Sequence, residues 1–233
     1  DLLKKINNKT SLIIINSPAN PTGGIVPKAE LEKLAKGLEK FPNVYLMSDE
    51  IYDQFCFGPN LFTSMLSFPN IRERLIILNG WSKTYAMTGW RLGYGIFPQQ
   101  LYTIAEKLAV NIHSCVNASA QYAAIEALQG PQSCVAEMND AFKKRAKFMS
   151  KKLNEIEGFQ CQEPSGAFYC FPKIKNTNKT SIDIQNQLLD KIGIATVAGT
   201  YFGKYGEGFI RFSCANSDEA IEEAIHRMMG RYL

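Results

Sequence analysis

The sequence predicts an α/β protein with a parallel sheet, followed by a smaller α+β part, and three observations carry that reading. Residues 12–15, 44–47 and 75–78 are short apolar runs with the unbroken hydrophobicity of strands buried on both faces. Between the first two runs, Leu31, Leu34, Ala35 and Leu38 recur at helical spacing. Each run opens into a polar or small-residue segment, and in parallel sheets ligands gather at such carboxyl ends.

The elements follow in order. The run at 12–15 leads into the turn carrying Asn20, and Pro27, with its fixed φ, suits the first turn of the next helix. The run at 44–47 ends at Asp49, and that at 75–78 ends before Lys83. Helices are expected after Pro98, over 118–128, and in a long segment ending near Gly158. The smaller part is expected to hold strands at 159–161, 167–171, 195–197 and 209–212. Thr180 with Asp183 gives a capping-box start to one helix, and Ser217 followed by Asp218 and Glu219 starts the last. The polar run 175–179 reads as a loop, and no repeats or low-complexity segments interrupt the pattern.

Composition narrows the function classes. A chain of 233 residues with 45% hydrophobic content can bury a real core in one or two domains. A net charge of +4 marks neither a nucleic-acid footprint nor a membrane-surface binder. The basic cluster Lys143, Lys144, Arg145, Lys147, Lys151 and Lys152 shares its segment with Val135, Met138, Phe142, Ala146, Met149, Leu153 and Ile156 at helical spacing, so it reads as the wet face of a helix. Six cysteines without Cys-x-x-Cys spacing, no secretory signal and no transmembrane run point to a reduced, cytoplasmic protein. The Asn-x-Ser/Thr matches at Asn8, Asn117 and Asn178 are then background, and with only His113 and His226 neither a metal cluster nor a histidine base is expected.

The most informative stretch is Gly80-Trp81-Ser82-Lys83-Thr84-Tyr85-Ala86-Met87-Thr88-Gly89-Trp90-Arg91-Leu92-Gly93. It sets one lysine in a tight turn after an apolar strand, with an arginine eight positions later. A lysine partly desolvated at a strand end falls below its ordinary pKa of about 10.4 and becomes available for Schiff-base chemistry, while an arginine clamps phosphate. Alone, Lys83 is more simply a surface lysine in a βα turn. Its company is Asn16-Ser17-Pro18-Ala19-Asn20-Pro21-Thr22-Gly23, Ser48-Asp49-Glu50-Ile51-Tyr52, Ser165-Gly166-Ala167-Phe168-Tyr169 and Gly208-Phe209-Ile210-Arg211-Phe212-Ser213, in that order along the chain.

With these landmarks the sequence resembles the pyridoxal-phosphate (PLP) aminotransferases of class I/II, fold type I, near the aspartate aminotransferases. The resemblance implies that residues 1–117 are the rear part of the large PLP-binding domain and that 118–233 are the linking long helix and small C-terminal domain. It implies PLP as cofactor, with Lys83 as its covalent anchor and proton carrier, Asp49 at the pyridine nitrogen, Tyr52 and Asn20 at the phenolic oxygen, and Arg91 with Ser82 at the phosphate. Relatives often carry a serine where this chain has Gly80, which puts one phosphate contact in doubt. Arg211 resembles the arginine for the substrate's alpha-carboxylate, Asn20 lies on the same substrate side, and Phe168 is an aromatic wall or simply core. Glu50 resembles the family's structural glutamate.

The implied reaction moves an amino group between an L-amino acid, aspartate-like favoured, and a 2-oxo acid such as 2-oxoglutarate, in a homodimer that engages neither nucleic acid nor membrane. A PLP-dependent carbon–sulfur β-lyase on the same fold, and a PLP-binding regulatory or non-catalytic module, are the alternatives left open. Asp1-Leu2-Leu3-Lys4-Lys5-Ile6 reads like the tail of a helix already under way, and the resemblance implies a further N-terminal portion before the Asn-Pro-Thr-Gly landmark.

Overall fold

The computed structural model describes residues 2–58 and 62–231, so Asp1 of the expected helical tail lies outside the described residues, and Leu3–Lys5 form a short 3-10 turn. By its contacts the chain divides into two units. The first comprises Asp1–Pro18, Ile25–Gln54 and Asn60–Ala136; the second comprises Ala19–Gly24, Phe55–Pro59 and Glu137–Leu233.

The first unit carries a four-stranded sheet in the order β1 (Leu12–Asn16), β2 (Tyr45–Asp49), β3 (Leu75–Gly80), β4 (Gly93–Ile96). The first three strands are parallel, with Asn16 beside Asp49 and Asp49 beside Leu78, which lines up their carboxyl ends. The sequence pattern missed β4, which runs antiparallel to β3 and pairs Gly80 with Gly93. Its composition, Gly-Tyr-Gly-Ile, lacks an apolar run because every residue of the strand is exposed.

Helix α1 (Lys28–Leu38) starts one residue after Pro27, which stands as its extended N-cap rather than inside the first turn. Leu31, Ala35 and Leu38 pack onto Ile13, Val44, Leu46, Leu75 and Ile77 in the unit's core. Fully burying each such leucine or isoleucine contributes about 1.5–3 kcal/mol, so this face drives the pairing of helix and sheet. The expectation of two-sided burial holds for Leu75, Ile76 and Ile77 but not for β1, where Ile13 is buried and Ile14 is 64% exposed. Among the described residues, only one face of that edge strand is covered. After β3 comes α2 (Trp81–Thr84), a single helical turn, and then α3 (Gln99–His113) and α4 (Ala118–Gln129). Trp81 Nε1 donates to the Ala124 carbonyl of α4 at 3.2 Å, which ties the short helix to a long one.

Helix α5 (Ser133–Leu153) begins in the first unit and continues into the second. There Phe142, Ala146, Met149 and Leu153 are buried while Lys143, Lys144, Lys147 and Lys151 stay exposed, as an amphipathic helix requires. Two antiparallel arrangements complete the second unit. One pairs β5 (Phe159–Gln160) with β7 (Lys173–Ile174), and the other orders β6 (Tyr169–Cys170), β9 (Ile210–Ser213) and β8 (Val197–Ala198). Strands β5 and β6 are shorter than the runs 159–161 and 167–171, β8 begins only at the last residue of the run 195–197, β9 keeps four residues but sits one position past 209–212, and β7 carried too little apolar sequence to be read at all.

Helix α6 (Ser181–Gln187) opens with the expected capping box, in which Thr180 N donates to Asp183 Oδ2 at 2.9 Å and Asp183 N to Thr180 Oγ1 at 3.2 Å. It runs on into a π-helical turn, Leu188–Ile192, that stops at Gly193, whose φ of +72° favours glycine. Helix α7 (Asp218–Arg231) begins where Ser217 Oγ accepts from Ala220 N at 3.2 Å. No helix of the described residues is long and apolar enough to cross a membrane, no group of His, Cys, Asp or Glu among them could hold a metal ion, and none of the six cysteines is in a disulfide.

Candidate active site

The chemistry-bearing residues of the first unit stand at the carboxyl ends of β2 and β3. Asp49 is the last residue of β2, and its carbonyl accepts from Asn16 Nδ2 and Ser17 N at 3.0 and 3.3 Å. Burial pushes its carboxyl above the ordinary aspartate range, and the Ile51 N–H, 3.2 Å from Oδ1, pulls the other way. A half-buried carboxylate in that state gains most from a cation beside it.

Glu50, one residue on, is 3% exposed and differs in kind. Its Oε1 accepts from Ser48 Oγ at 3.0 Å and Met65 N at 2.9 Å. Burial raises it too, while these bonds and one from Ser64 offset the rise. Alternation along an extended segment sends the two acids to opposite sides, so Glu50 is committed to the loop that follows and Asp49 is not.

Tyr52 is buried at 4% exposure. Lys83 lies in α2, so the expected tight turn is a helical turn that begins at the end of β3, and Ser82 and Lys83 are both half-buried. The support of this turn was not legible in the sequence. Asn79 Nδ2 donates to Asp53 Oδ2 at 3.0 Å, while Asn79 Oδ1 accepts the Gly80 N–H at 2.7 Å. Gly80 itself has a packing reason, because a Cβ there would lie 2.8 Å from Gly93 Cα and 3.0 Å from the Leu92 carbonyl oxygen. The β3–β4 pairing therefore leaves little room for any side chain at position 80.

Arg91 sits eight residues on, exposed, with a left-handed φ of +55°, and its Nη1 donates to the Thr88 carbonyl at 2.8 Å. It lines a cleft of about 1210 Å³ with Trp90, His113 and Asn117, whereas Asp49, Tyr52 and Lys83 do not line it. Cleft volume and chemistry part company here, and the strand ends are the better guide because they bring the titratable groups together.

The second unit gathers the other landmarks. The loop 19–24 is closed by Gly23 N donating to the Ala19 carbonyl at 2.8 Å and Ala19 N to the Gly24 carbonyl at 2.9 Å. Gly23 has φ +67°, and its carbonyl accepts from both Ser165 N and Gly166 N, at 2.8 and 2.9 Å. A Cβ on Gly23 would lie 2.7 Å from the Tyr169 carbonyl oxygen, so the first landmark docks on the Ser-Gly-Ala-Phe-Tyr landmark only because it is glycine. Asn20, carried by this loop, accepts at Oδ1 from Arg211 Nη1 at 2.8 Å. Arg211 Nε is buried without a hydrogen-bond partner, an unmet demand of the kind a bound anion satisfies.

Phe168 belongs to a ring cluster, stacked on Phe142 at 5.0 Å and edge-on to Phe55 at 5.8 Å. The rings over the Arg211 guanidinium are instead those of Tyr169 and Phe202, the latter not singled out from the sequence. Its signal was present in the run Gly-Thr-Tyr-Phe-Gly, whose flanking glycines mark a forced backbone path.

Comparisons with known proteins identify the family and the fold. A family model described as aminotransferase class I and II matches residues 1–228. The chain is 40% identical over 230 residues to an aspartate aminotransferase of Pyrococcus abyssi, covering 98% of this chain and 59% of that protein. It is 39% identical over 228 residues to the putative aminotransferase YugH of Bacillus subtilis, covering 98% and 58%. The crystal structure of an aromatic aminotransferase from Pyrococcus horikoshii superposes with a TM-score of 0.94 at 38% identity, covering 98% of this chain and 61% of that one. The chain thus spans about three-fifths of the relatives it matches. With nearly its whole length matched by one family model and its landmark residues carried on the same fold, the chain belongs to the class I and II aminotransferases.

Proposed function

We propose that the protein is a PLP-dependent aminotransferase, exchanging an amino group between an L-amino acid, aspartate-like favoured, and a 2-oxo acid such as 2-oxoglutarate. Class I and II aminotransferases use pyridoxal 5'-phosphate. The observation that carries the reading is the desolvated Asp49 carboxylate at one strand end, with Lys83 in the helical turn beyond the neighbouring strand. When bound, PLP supplies a protonated ring that accepts the electron pair released at the substrate's alpha carbon.

Asp49 supplies the counter-charge such a ring nitrogen needs, and its raised proton affinity favours sharing that proton. Lys83 would hold the cofactor through Nζ, and its freed amine would carry a proton to and from the substrate's alpha carbon. Tyr52 donates its hydroxyl to the phenolic oxygen. Asn20 would be the second donor to that same oxygen, while its Oδ1 accepts from Arg211 Nη1. Arg91 and Ser82 hold the phosphate. Arg211 takes the substrate's alpha-carboxylate in a bidentate fork, and Phe168, 4.7 Å from the Tyr169 ring, backs the aromatic wall beside it.

Asp49, Tyr52, Ser82, Lys83 and Arg91 lie in the first unit, and Asn20, Phe168 and Arg211 in the second. The working form is proposed to be a cytoplasmic homodimer, and the absence of disulfides among the six cysteines suits a reducing compartment. The test is borohydride reduction of the cofactor-loaded protein followed by peptide mapping. The expected result is one pyridoxyl adduct, on Lys83; an adduct on another lysine would overturn the assignment.

A further inference from the structure

Arg211 is held by more than Asn20. Its guanidinium carbon lies 4.6 Å from the centroid of the Tyr169 ring and 5.1 Å from that of Phe202. Tyr169 is 6% exposed, fixed by the core, whereas Phe202 is 38% exposed. The position of Phe202 is nevertheless set by the chain. It ends the 3-10 turn Gly199–Phe202, after which Gly203 N donates to the Thr200 carbonyl at 3.0 Å and Gly206 N to the Gly203 carbonyl at 2.9 Å. The two ends of this loop cross at Gly199 and Gly206, so closely that a Cβ on either would run into the other's carbonyl oxygen. The Phe202 ring then packs edge-on against Phe171, at 6.3 Å and 88°, and Phe171 stacks on Phe209 at 5.0 Å and 11°. Loop closure and aromatic packing thus bring the ring to the guanidinium.

An aromatic face attracts a guanidinium through its quadrupole and displaces water from it. Both effects matter for an arginine that must capture an anion. Desolvation strengthens the charge-assisted bonds, and a fixed guanidinium plane loses less entropy when a planar carboxylate meets its N–H edge. Asn20 already occupies Nη1, and Nε is buried without a partner, so the plane of Arg211 decides which N–H groups a ligand reaches.

We propose that Phe202 is a positioning residue for the substrate carboxylate, holding and desolvating Arg211 through the face of its ring; this rests on the reading of Arg211 given above. It follows that affinity for both the amino acid and the 2-oxo acid depends on an aromatic ring at this loop position, while the proton transfers at the alpha carbon do not.

The experiment titrates the cofactor-loaded protein with 2-oxoglutarate by calorimetry, which reads binding without turnover. Phe202→Leu keeps apolar bulk and removes the ring face, while Phe202→Tyr keeps the ring. The leucine variant is expected to bind 2-oxoglutarate about 5-fold more weakly and the tyrosine variant within about twofold of the parent. In steady-state kinetics the leucine loss should appear in KM with kcat retained. Cooperative melting should survive in both, because the position is more than a third exposed. Parental affinity in the leucine variant, or equal losses in the two variants, would overturn the proposal. Arg211→Lys in the same titration separates the two levels of the argument. If it weakens binding and Phe202→Leu does not, the role of Phe202 alone falls; if Arg211→Lys also binds normally, the carboxylate reading of Arg211 falls with it.

Discussion

Arg211 Nη1 donates to Asn20 Oδ1 across 2.8 Å, although 191 residues separate the two in sequence. Arginine offers no acceptor, so the bond fixes which way the amide faces: oxygen toward the guanidinium and NH2 away from it. Two neighbouring landmarks pack around this pair. Gly23 closes its loop, and Tyr169 contributes both a carbonyl beside Gly23 and a ring beside Arg211.

Removing Arg211 should therefore impair carboxylate recognition rather than chemistry, while removing Asn20, also proposed as a donor to the cofactor's phenolic oxygen, should affect both. Asn20→Ala leaves a charged donor without its bond and should raise KM for aspartate and for 2-oxoglutarate by about tenfold or more. Arg211→Lys cannot form two parallel hydrogen bonds and should raise both KM values at least as far, on the order of tenfold or greater, with the cofactor's absorbance little changed. The double variant should lose less than the product of the single losses, because the residues act as one unit. Equal loss of cofactor and substrate binding in Arg211→Lys would mark the arginine as structural.

Asp49→Ala should lower turnover by several orders of magnitude while leaving some cofactor bound, because the phosphate ligands remain; Asp49→Glu should be milder. Near-normal half-reaction rates with aspartate in the alanine variant would exclude the role given to Asp49.

The same site carries a pH signature in the cofactor-free protein. Burial lifts Asp49 above its ordinary 3.8. An acid raised in this way binds its proton more tightly folded than unfolded, so stability is full below the unfolded value near 3.8 and is lost as pH climbs through the folded value. Asp49→Asn should consequently melt higher than the parent at neutral pH, with the gain shrinking toward zero at the acid end. Thermal melts from acid to neutral pH check this, and a gain that is constant across the range would contradict it.

Gly80→Ser tests whether the β3–β4 pairing requires glycine at this position. Its Cβ would meet Gly93 Cα at 2.8 Å, and backbone cannot yield as a flexible side chain can. The cost should be about 1–3 kcal/mol of stability, read as a lower denaturant midpoint with an unchanged slope. Unchanged stability would show that β4 can shift away from β3.

Sequence periodicity was a good guide wherever a helix or strand has one wet and one dry face. Leu31, Ala35 and Leu38 on α1, and Phe142, Ala146, Met149 and Leu153 on α5, could be read as buried stripes because a helix returns to the same face every three to four residues. The capping box at Thr180 and Asp183 was equally legible, since both partners lie within one turn. It failed for β4 and β7, whose four and two residues carry no apolar pattern and exist only because a neighbouring strand offers its hydrogen bonds.

The sequence by itself determined the chemistry on offer: a lysine just past an apolar strand, an aspartate closing another, and two arginines in recognisable settings, since residue type and local spacing are properties of the chain. Only the tertiary structure decided how those groups are used. It committed Glu50 to Ser48 and Met65 and left Asp49 half-buried, because alternate positions at a strand end enter different surroundings. It put Tyr169 and Phe202 over Arg211 and left Phe168 among Phe55 and Phe142, a choice made by the β8–β9 pairing and the Gly199–Gly206 crossing. Asn20 and Arg211 meet because loop 19–24 docks on residues 165 and 166, and a contact spanning 191 residues has no local signature in a single sequence. Its energy is realised only after the chain entropy of closing so long a loop has been overcome by the packing of everything between.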